Sequence, residues 1–238
     1  MTGTIINVAA ILVGGGAGML FGAKLPARMR ETFIWALGLF VIGLGVQMLL
    51  KSQNSLISIG SVLVGGALGE WWRIDKGMER VGGWLEARAA RSTSAEGTAR
   101  FIKGFVSASL LFCVGPMAIM GAIDDGLRGN YQILAIKALL DGSVALAFAA
   151  TLGEGVLFSA LPVLLYQGAI SLLAAQAQSV LTTPMTTELT AAGGLLMMGI
   201  GVGTLLELRP IRVANYLPAL VIAPLIVAGL HALGVAGF

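Results

Sequence analysis

The chain alternates between long apolar runs and short polar breaks. A helix that crosses the hydrocarbon core of a bilayer needs about 20 mostly apolar residues. Eight runs reach or approach that length, at roughly 4–23, 32–50, 55–72, 101–122, 132–152, 155–176, 187–206 and 215–235. The third is short, and only Gly153-Glu154-Gly155 separates the fifth from the sixth. The pattern predicts an all-α fold, a polytopic α-helical membrane bundle of about eight spans, with seven as the nearest alternative. Between the third and fourth runs, Arg73–Arg91 places Ile74, Met78, Val81 and Leu85 at helical spacing. With Trp71, Trp72 and Trp84, the segment 73–100 reads as an amphipathic helix lying in the headgroup region. Gly82-Gly83 fits a solvated loop instead.

Composition agrees. The sequence is 57% hydrophobic and 11% charged, with mean hydropathy +0.90, against about 25% charged residues in a soluble domain. The single cysteine, Cys113, excludes an internal disulfide framework. No Lys or Arg precedes Lys24, so the first run lacks the basic region of a cleaved signal peptide and is expected to remain as a span. The net charge of +3 gives no reason to expect nucleic acid as a partner, because the basic residues follow membrane topology. Lys24, Arg28 and Arg30 follow the first span. Arg73, Lys76, Arg80, Arg88, Arg91, Arg100 and Lys103 lie between or flank the third and fourth, and Arg209 and Arg212 precede the eighth. In an eight-span chain, twelve of the 15 basic residues then share one side. Basic loops stay cytoplasmic, which places both termini outside.

Two glycine-rich stretches repeat. Ala36–Leu50 matches Ala192–Leu206 at Ala36, Gly38, Leu39, Gly43, Gly45, Val46, Leu49 and Leu50. Spans two and seven cross in opposite directions, so the match reads as an inverted repeat of spans 1–3 against 6–8, a mark of secondary transporters. A chance match of two Gly/Leu-rich helices is the alternative. Gly43, Gly45, Gly199 and Gly201 are candidates for close helix approach. A fainter echo joins Ile11–Gly15 to Val62–Gly66, each followed three residues on by Gly18 or Gly69. The chain thus reads as one membrane domain, 1–238. Repeat-like halves 1–72 and 155–238 flank the segment 73–100 and the central spans 101–153.

Ionisable residues inside a span cost roughly 2.5–3.5 kcal/mol on insertion scales and point to function by default. Lys137 and Asp141 are four apart in span five and share a helix face. They fit either a cation, proton or anion site or a self-neutralising structural pair. Gly115-Pro116 falls near the middle of span four, where proline removes a backbone donor and its predecessor leaves helical geometry. A broken helix there offers backbone groups to a ligand; a simple kink is the alternative. Cys113 lies one turn earlier. Asn7, Gln47, Ser143, Tyr166 and Gln167 add polar groups at middle-to-outer depth, and together outline a substrate or ion cavity. Glu154, at the inner end of span five, is the candidate gate. Asp124 and Asp125 fit a solvated turn at the outer mouth.

The sequence lacks GxGxxG, a Walker A lysine, HExxH and Cys/His metal spacing. No metal, cofactor or enzymatic activity is expected. The blocks FCVGPMAIMGAIDDGL, AIKALLDG, LGEGVLFSALPVLLYQG and RVANYLPALVIAPL resemble the YdfK/YqgA group of bacterial inner-membrane proteins, catalogued as a domain of unknown function. The resemblance covers nearly the whole chain. It implies a multi-span protein of the bacterial inner membrane and carries over no functional residue. The reading is therefore a secondary transporter or ion-coupled carrier of a small solute or ion. A dimeric channel, packed through Gly14/Gly18/Gly22 and Gly65/Gly69, and a non-transporting scaffold or sensor are the alternatives. The expected partners are the lipid bilayer, the solute or ion and, for the channel, a second copy of the chain.

Overall fold

The computed structural model describes residues 1–89 and 95–234. Arg91, the 90–94 part of the amphipathic segment, and Val235 at the end of the last expected span lie outside the described residues. All regular structure among the described residues is helical. The helices are α1 (Thr2–Gly22), α2 (Ala27–Leu49), α3 (Ser55–Trp72), α4 (Ile74–Ala89), α5 (Ala95–Val114), α6 (Pro116–Arg128) and α7 (Gln132–Leu152). There follow α8 (Gly155–Phe158), α9 (Ala160–Leu172), α10 (Ala174–Val180), α11 (Thr183–Gly199) and α12 (Ala219–Ala232). A π-helical segment, Ile200–Leu205, continues α11, and a 3₁₀ turn, Val213–Tyr216, precedes α12.

Seven helices are long and apolar enough to cross a membrane: α1, α2, α5, α7, α8 with α9, α11 with its π segment, and the 3₁₀ turn with α12. The third run, α3, is 18 residues long and ends in Glu70, Trp71 and Trp72, and it falls outside that set. The fourth span is broken as the sequence suggested. α5 stops at Val114, Gly115 is extended at φ −71° and ψ 144°, and Pro116 opens α6. Proline suits a first helical turn, where its missing N–H has no intrahelical partner, and it pushes Gly115 out of the helical region.

The segment 74–89 is a helix, not a loop. Leu85 is buried with Phe101 and Phe105, and Gly82 admits the side chains of Ile102 and Phe105, each 3.3 Å from where a Cβ would stand. Trp71, Trp72 and Trp84 are 78%, 63% and 53% exposed, which suits an interfacial position. The Arg88 guanidinium sits 4.5 Å over the Trp84 ring.

The chain forms two contact units that draw on both of its halves. Unit one is Met1–Leu37 with Met78–Ala177, and unit two is Gly38–Gly77 with Gln178–Phe238. In unit one, α1 and α7 touch along their length. A Cβ on Gly14, Gly18 or Gly22 would run into the carbonyl oxygens of Gly142, Leu146 and Ala150 in turn. Both series ascend, so the two helices are parallel. In unit two, Gly65 and Gly69 of α3 meet Ala219 and Asn215; here the order reverses, and the contact is antiparallel. Both glycine ridges are thus used inside the chain. They do not supply the face for a second copy that the sequence suggested.

The two repeated strings also meet inside unit two. A Cβ at Gly45 would stand 2.6 Å from the Gly194 carbonyl, and one at Gly194 would stand 2.5 Å from that of Gly45. A Cβ at Gly201 would stand 2.9 Å from the Gly38 carbonyl. Gly38 and Gly45 correspond to Gly194 and Gly201 in the repeat, so each contact is the other with partners exchanged. That reciprocity is the pattern of a two-fold contact, and the descending order makes it antiparallel. Gly43 has nothing within 4 Å, and Gly199 meets only Val213 and Ile211 side chains. The close-approach set is therefore Gly38, Gly45, Gly194 and Gly201, in place of the set with Gly43 and Gly199.

Candidate functional site

In unit one, α7 buries Lys137 and Asp141 to 4% and 9% exposure. Four residues apart, they pair along the helix, the Lys137 ammonium donating to Asp141 Oδ2. The same oxygen accepts from Asn7 Nδ2 of α1 at 3.1 Å, and Asn7 Nδ2 also donates to Gln167 Oε1 of α9 at 3.3 Å. Asn7 and Gln167 are fully buried. The carboxylate fixes these amides: only an N–H can face it, so Asn7 presents Nδ2 there, and Gln167 must answer with its oxygen. Two buried polar atoms are left over, Asn7 Oδ1 and Gln167 Nε2, neither with a hydrogen-bond partner among the described residues. Such atoms cost about 1–3 kcal/mol each unless something satisfies them.

Cys113, half-buried at the end of α5, is close enough for the charges of Lys137 and Asp141 to act on its thiol. Tyr166 of α9 is within electrostatic reach of Cys113. Gly115 and Pro116, both half-buried, follow Cys113 within three residues. The structure thus joins Asn7, Lys137, Asp141 and Gln167 by direct contacts, with Cys113 within electrostatic reach of the pair and Tyr166 within reach of Cys113. Two expected members lie elsewhere. Ser143 is exposed and its hydroxyl donates to Leu139 O. Gln47 is exposed in unit two.

Glu154 lines a cleft of about 230 Å³ with Met19, Gly97, Arg100, Phe101, Leu152 and Gly153. Arg30 donates to Gly22 O at 3.0 Å, and the Arg100 guanidinium lies beside Gly153. Both arginines sit at helix C-termini, of α1 and α7, where cations are favoured. Glu154 therefore belongs to a basic helix-end cluster remote in sequence depth from Asp141.

Sequence reasoning missed three residues of unit one. Asp125, read as part of a solvated turn, is 3% exposed. Its Oδ2 accepts from Gly3 N at 3.0 Å and lies 3.1 Å from the Met1 amine, while its Oδ1 has no partner among the described residues. Asp124 keeps the surface role, with Arg128 and Asn130. Thr4 and Ser171, one turn from Asn7 and Gln167, are buried with unpartnered hydroxyls. The available signal was spacing: Thr4/Asn7 and Gln167/Ser171 each share a helix face.

Unit two holds a different buried carboxylate, also missed. Glu188 of α11 is 2% exposed. Its Oε1 accepts from Gln53 N at 2.8 Å and Asn54 N at 3.1 Å, and its Oε2 from Ser52 Oγ at 2.8 Å and Ser58 Oγ at 2.9 Å. It closes the N-terminal end of α3, where backbone donors are unsatisfied and negative charge is stabilised. The clue was the donor-rich turn Ser52-Gln53-Asn54-Ser55, which calls for an acceptor. At the other end of α3, Glu70 pairs with Arg212 and accepts from Asn215 Nδ2 at 2.7 Å, while Asn215 Oδ1 accepts from Asp75 N at 2.7 Å.

Seven apolar helices, with a charged pair and its amide partners buried among them, define a multi-pass α-helical membrane protein in contact with the bilayer. The chain belongs to the family described as "Protein of unknown function (DUF554)", which matches residues 2–228. It is 30% identical over 238 residues to "Uncharacterized membrane protein YdfK" of Bacillus subtilis (strain 168), covering 98% of this chain and 99% of that protein. It is 31% identical over 221 residues to "Uncharacterized protein YqgA" of Escherichia coli (strain K12), covering 93% and 94%. No solved structure matches the chain.

Proposed function

We propose that this protein is a non-enzymatic secondary carrier of a small solute or ion in the bacterial inner membrane, with the shorter α3 crossing as an eighth span and both termini outside. The carrying observation is the cluster in unit one. A buried Lys137/Asp141 pair is bound to α1 and α9 through Asn7 and Gln167, yet amide atoms at its centre remain unpartnered. A cluster built only for packing would gain by satisfying them; a binding site leaves them for its ligand. Asp141 holds a coupling cation or proton, Lys137 balances it or meets an anionic group, and the Gly115-Pro116 break supplies backbone dipoles. Glu154 with Arg100 forms the inner gate. The reciprocal contact of α2 with α11 supports an inverted repeat of spans 1–3 against 6–8, a framework for alternating access.

The direct Lys137–Asp141 contact also favours a second reading, a structural pair in a scaffold. Solid-supported-membrane electrophysiology on proteoliposomes, screening amino acids, carboxylates and inorganic cations, separates the two. A carrier gives saturable transient currents that Lys137→Met/Asp141→Asn abolishes; a scaffold gives none. Linear, non-saturating currents would indicate a channel.

A further inference from the structure

Five of the unpartnered polar atoms of unit one, on α1, α6 and α9, form a column; the other four, Arg30 Nε, Arg100 Nε, Ser107 Oγ and Ser109 Oγ, are on α2 and α5. Gly15 of α1 meets Leu157, and Asn7 meets Gln167, so α1 runs antiparallel to the α8–α9 segment. One turn beyond the Asn7–Gln167 bond, toward the start of α1, Thr4 and Ser171 therefore stand at one level. Asp125 reaches the same level from α6, bonded to Gly3 N, and a Cβ on the adjoining Gly126 would strike the Ser171 carbonyl. Gly126 itself is exposed. The sequence of groups inward from the surface is Asp125, then Thr4 and Ser171, then Asn7 and Gln167, then Asp141 with Lys137. Each level above the ion pair carries a buried atom with no partner among the described residues: Asp125 Oδ1, Thr4 Oγ1, Ser171 Oγ, Asn7 Oδ1 and Gln167 Nε2.

This set mixes acceptors, hydroxyls and one N–H donor. A dehydrated metal cation needs oxygens alone and would sit beside the Lys137 ammonium. Water both donates and accepts, and a buried water typically makes about three hydrogen bonds to otherwise unsatisfied groups. We propose that this column holds a file of water that carries protons between the Asp125 end of unit one and the Lys137/Asp141 pair. The file stands on the unpartnered atoms alone. Its use as the coupling path, which makes the proton the coupling ion, rests on the carrier reading above.

In each turnover the file relays one proton from bulk hydronium to the Asp141 carboxylate, giving a neutral carboxyl beside the unchanged Lys137 ammonium. When the carrier opens to the other side, the carboxyl releases that proton to water there, so charge and atoms balance. The titratable group within electrostatic reach of the pair is Cys113 from α5, with Tyr166 from α9 next to it in reach of Cys113 and Asp125 from α6 at the far end of the file; α1 contributes Asn7, which does not titrate.

Two measurements on the full-length protein test this separately. In a Cys113→Ala background, Thr4→Cys and Ser171→Cys place near-isosteric thiols on the column, with Asn130→Cys as an exposed control. Under X-ray hydroxyl-radical labelling read by mass spectrometry, all three should oxidise, the buried pair because water lies against them. Labelling of Asn130→Cys alone, in protein that elutes as folded, would overturn the water file and leave the carrier reading untouched. The second measurement uses proteoliposomes with an internal pH dye and an imposed potassium-valinomycin potential. Proton entry should be lost in Asp141→Asn and slowed severalfold in Thr4→Val/Ser171→Ala. Labelled thiols with no proton movement would overturn the proton as the coupling ion.

Discussion

Asp141 in unit one and Glu188 in unit two are both carboxylates buried among helices, and the two are handled in opposite ways. Glu188 in unit two has no cation partner among the described residues, yet both oxygens are filled, each by two donors from residues 52–58. Asp141 in unit one has a cation four residues away and still sits among atoms that nothing satisfies. A saturated carboxylate at a helix N-terminus has its interactions completed by the fold. A paired carboxylate in an unfinished polar column has capacity left for something that comes and goes. Burial and charge alone do not separate structural from functional acids in this protein; the accounting of donors and acceptors does.

That contrast can be broken by mutation. The largest stability effect is expected at Glu188. Glu188→Leu strands four donors, two backbone and two hydroxyl, and should cost at least about 3 kcal/mol in thermal or denaturant unfolding in detergent. Next is Asp141→Leu alone, which leaves the Lys137 charge buried and unpaired and should cost about 3 kcal/mol. The double variant Lys137→Met/Asp141→Leu should be markedly more stable than Asp141→Leu, because it removes the stranded charge. Glu188 has no such rescuing partner, and a cycle of unfolding measurements shows the difference.

A smaller effect separates the glycines of the repeat. Gly194→Ala must displace the Gly45 backbone and should cost about 1–3 kcal/mol. Gly43→Ala enters open space and should be neutral or slightly stabilising through helix propensity. The smallest effects belong to the polar residues outside the cluster. Ser143→Ala and Gln47→Ala should stay within about 0.5 kcal/mol of wild type and leave any flux unchanged.

Much of this architecture was legible in the sequence. Apolar runs located the spanning helices because a bilayer sets their length, and Gly115-Pro116 located the break because proline chemistry is local. Lys137 and Asp141 were legible for the same reason: their spacing within one helix decides their contact. What stayed hidden depends on residues far apart in the chain. Nothing near Asp125 announces that it closes on Gly3, and nothing near Glu188 announces the donors at 52–58 beyond their number. The repeat showed which glycines match but not which face inward, so Gly43 and Gly199 looked equal to Gly45 and Gly201. Ser143 is a different case: two residues from Asp141, it lies on another face of α7, which helical spacing alone shows.

The central claim is that the Lys137/Asp141 cluster works while Glu188 holds. Its most direct measurement is transport current in proteoliposomes, by solid-supported-membrane electrophysiology with the panel of solutes and cations, for wild type and for Lys137→Met/Asp141→Asn at matched protein density. The account predicts a saturable current in wild type and its loss in a variant that remains folded by size-exclusion and thermal unfolding. A folded double variant that carries wild-type current would contradict it.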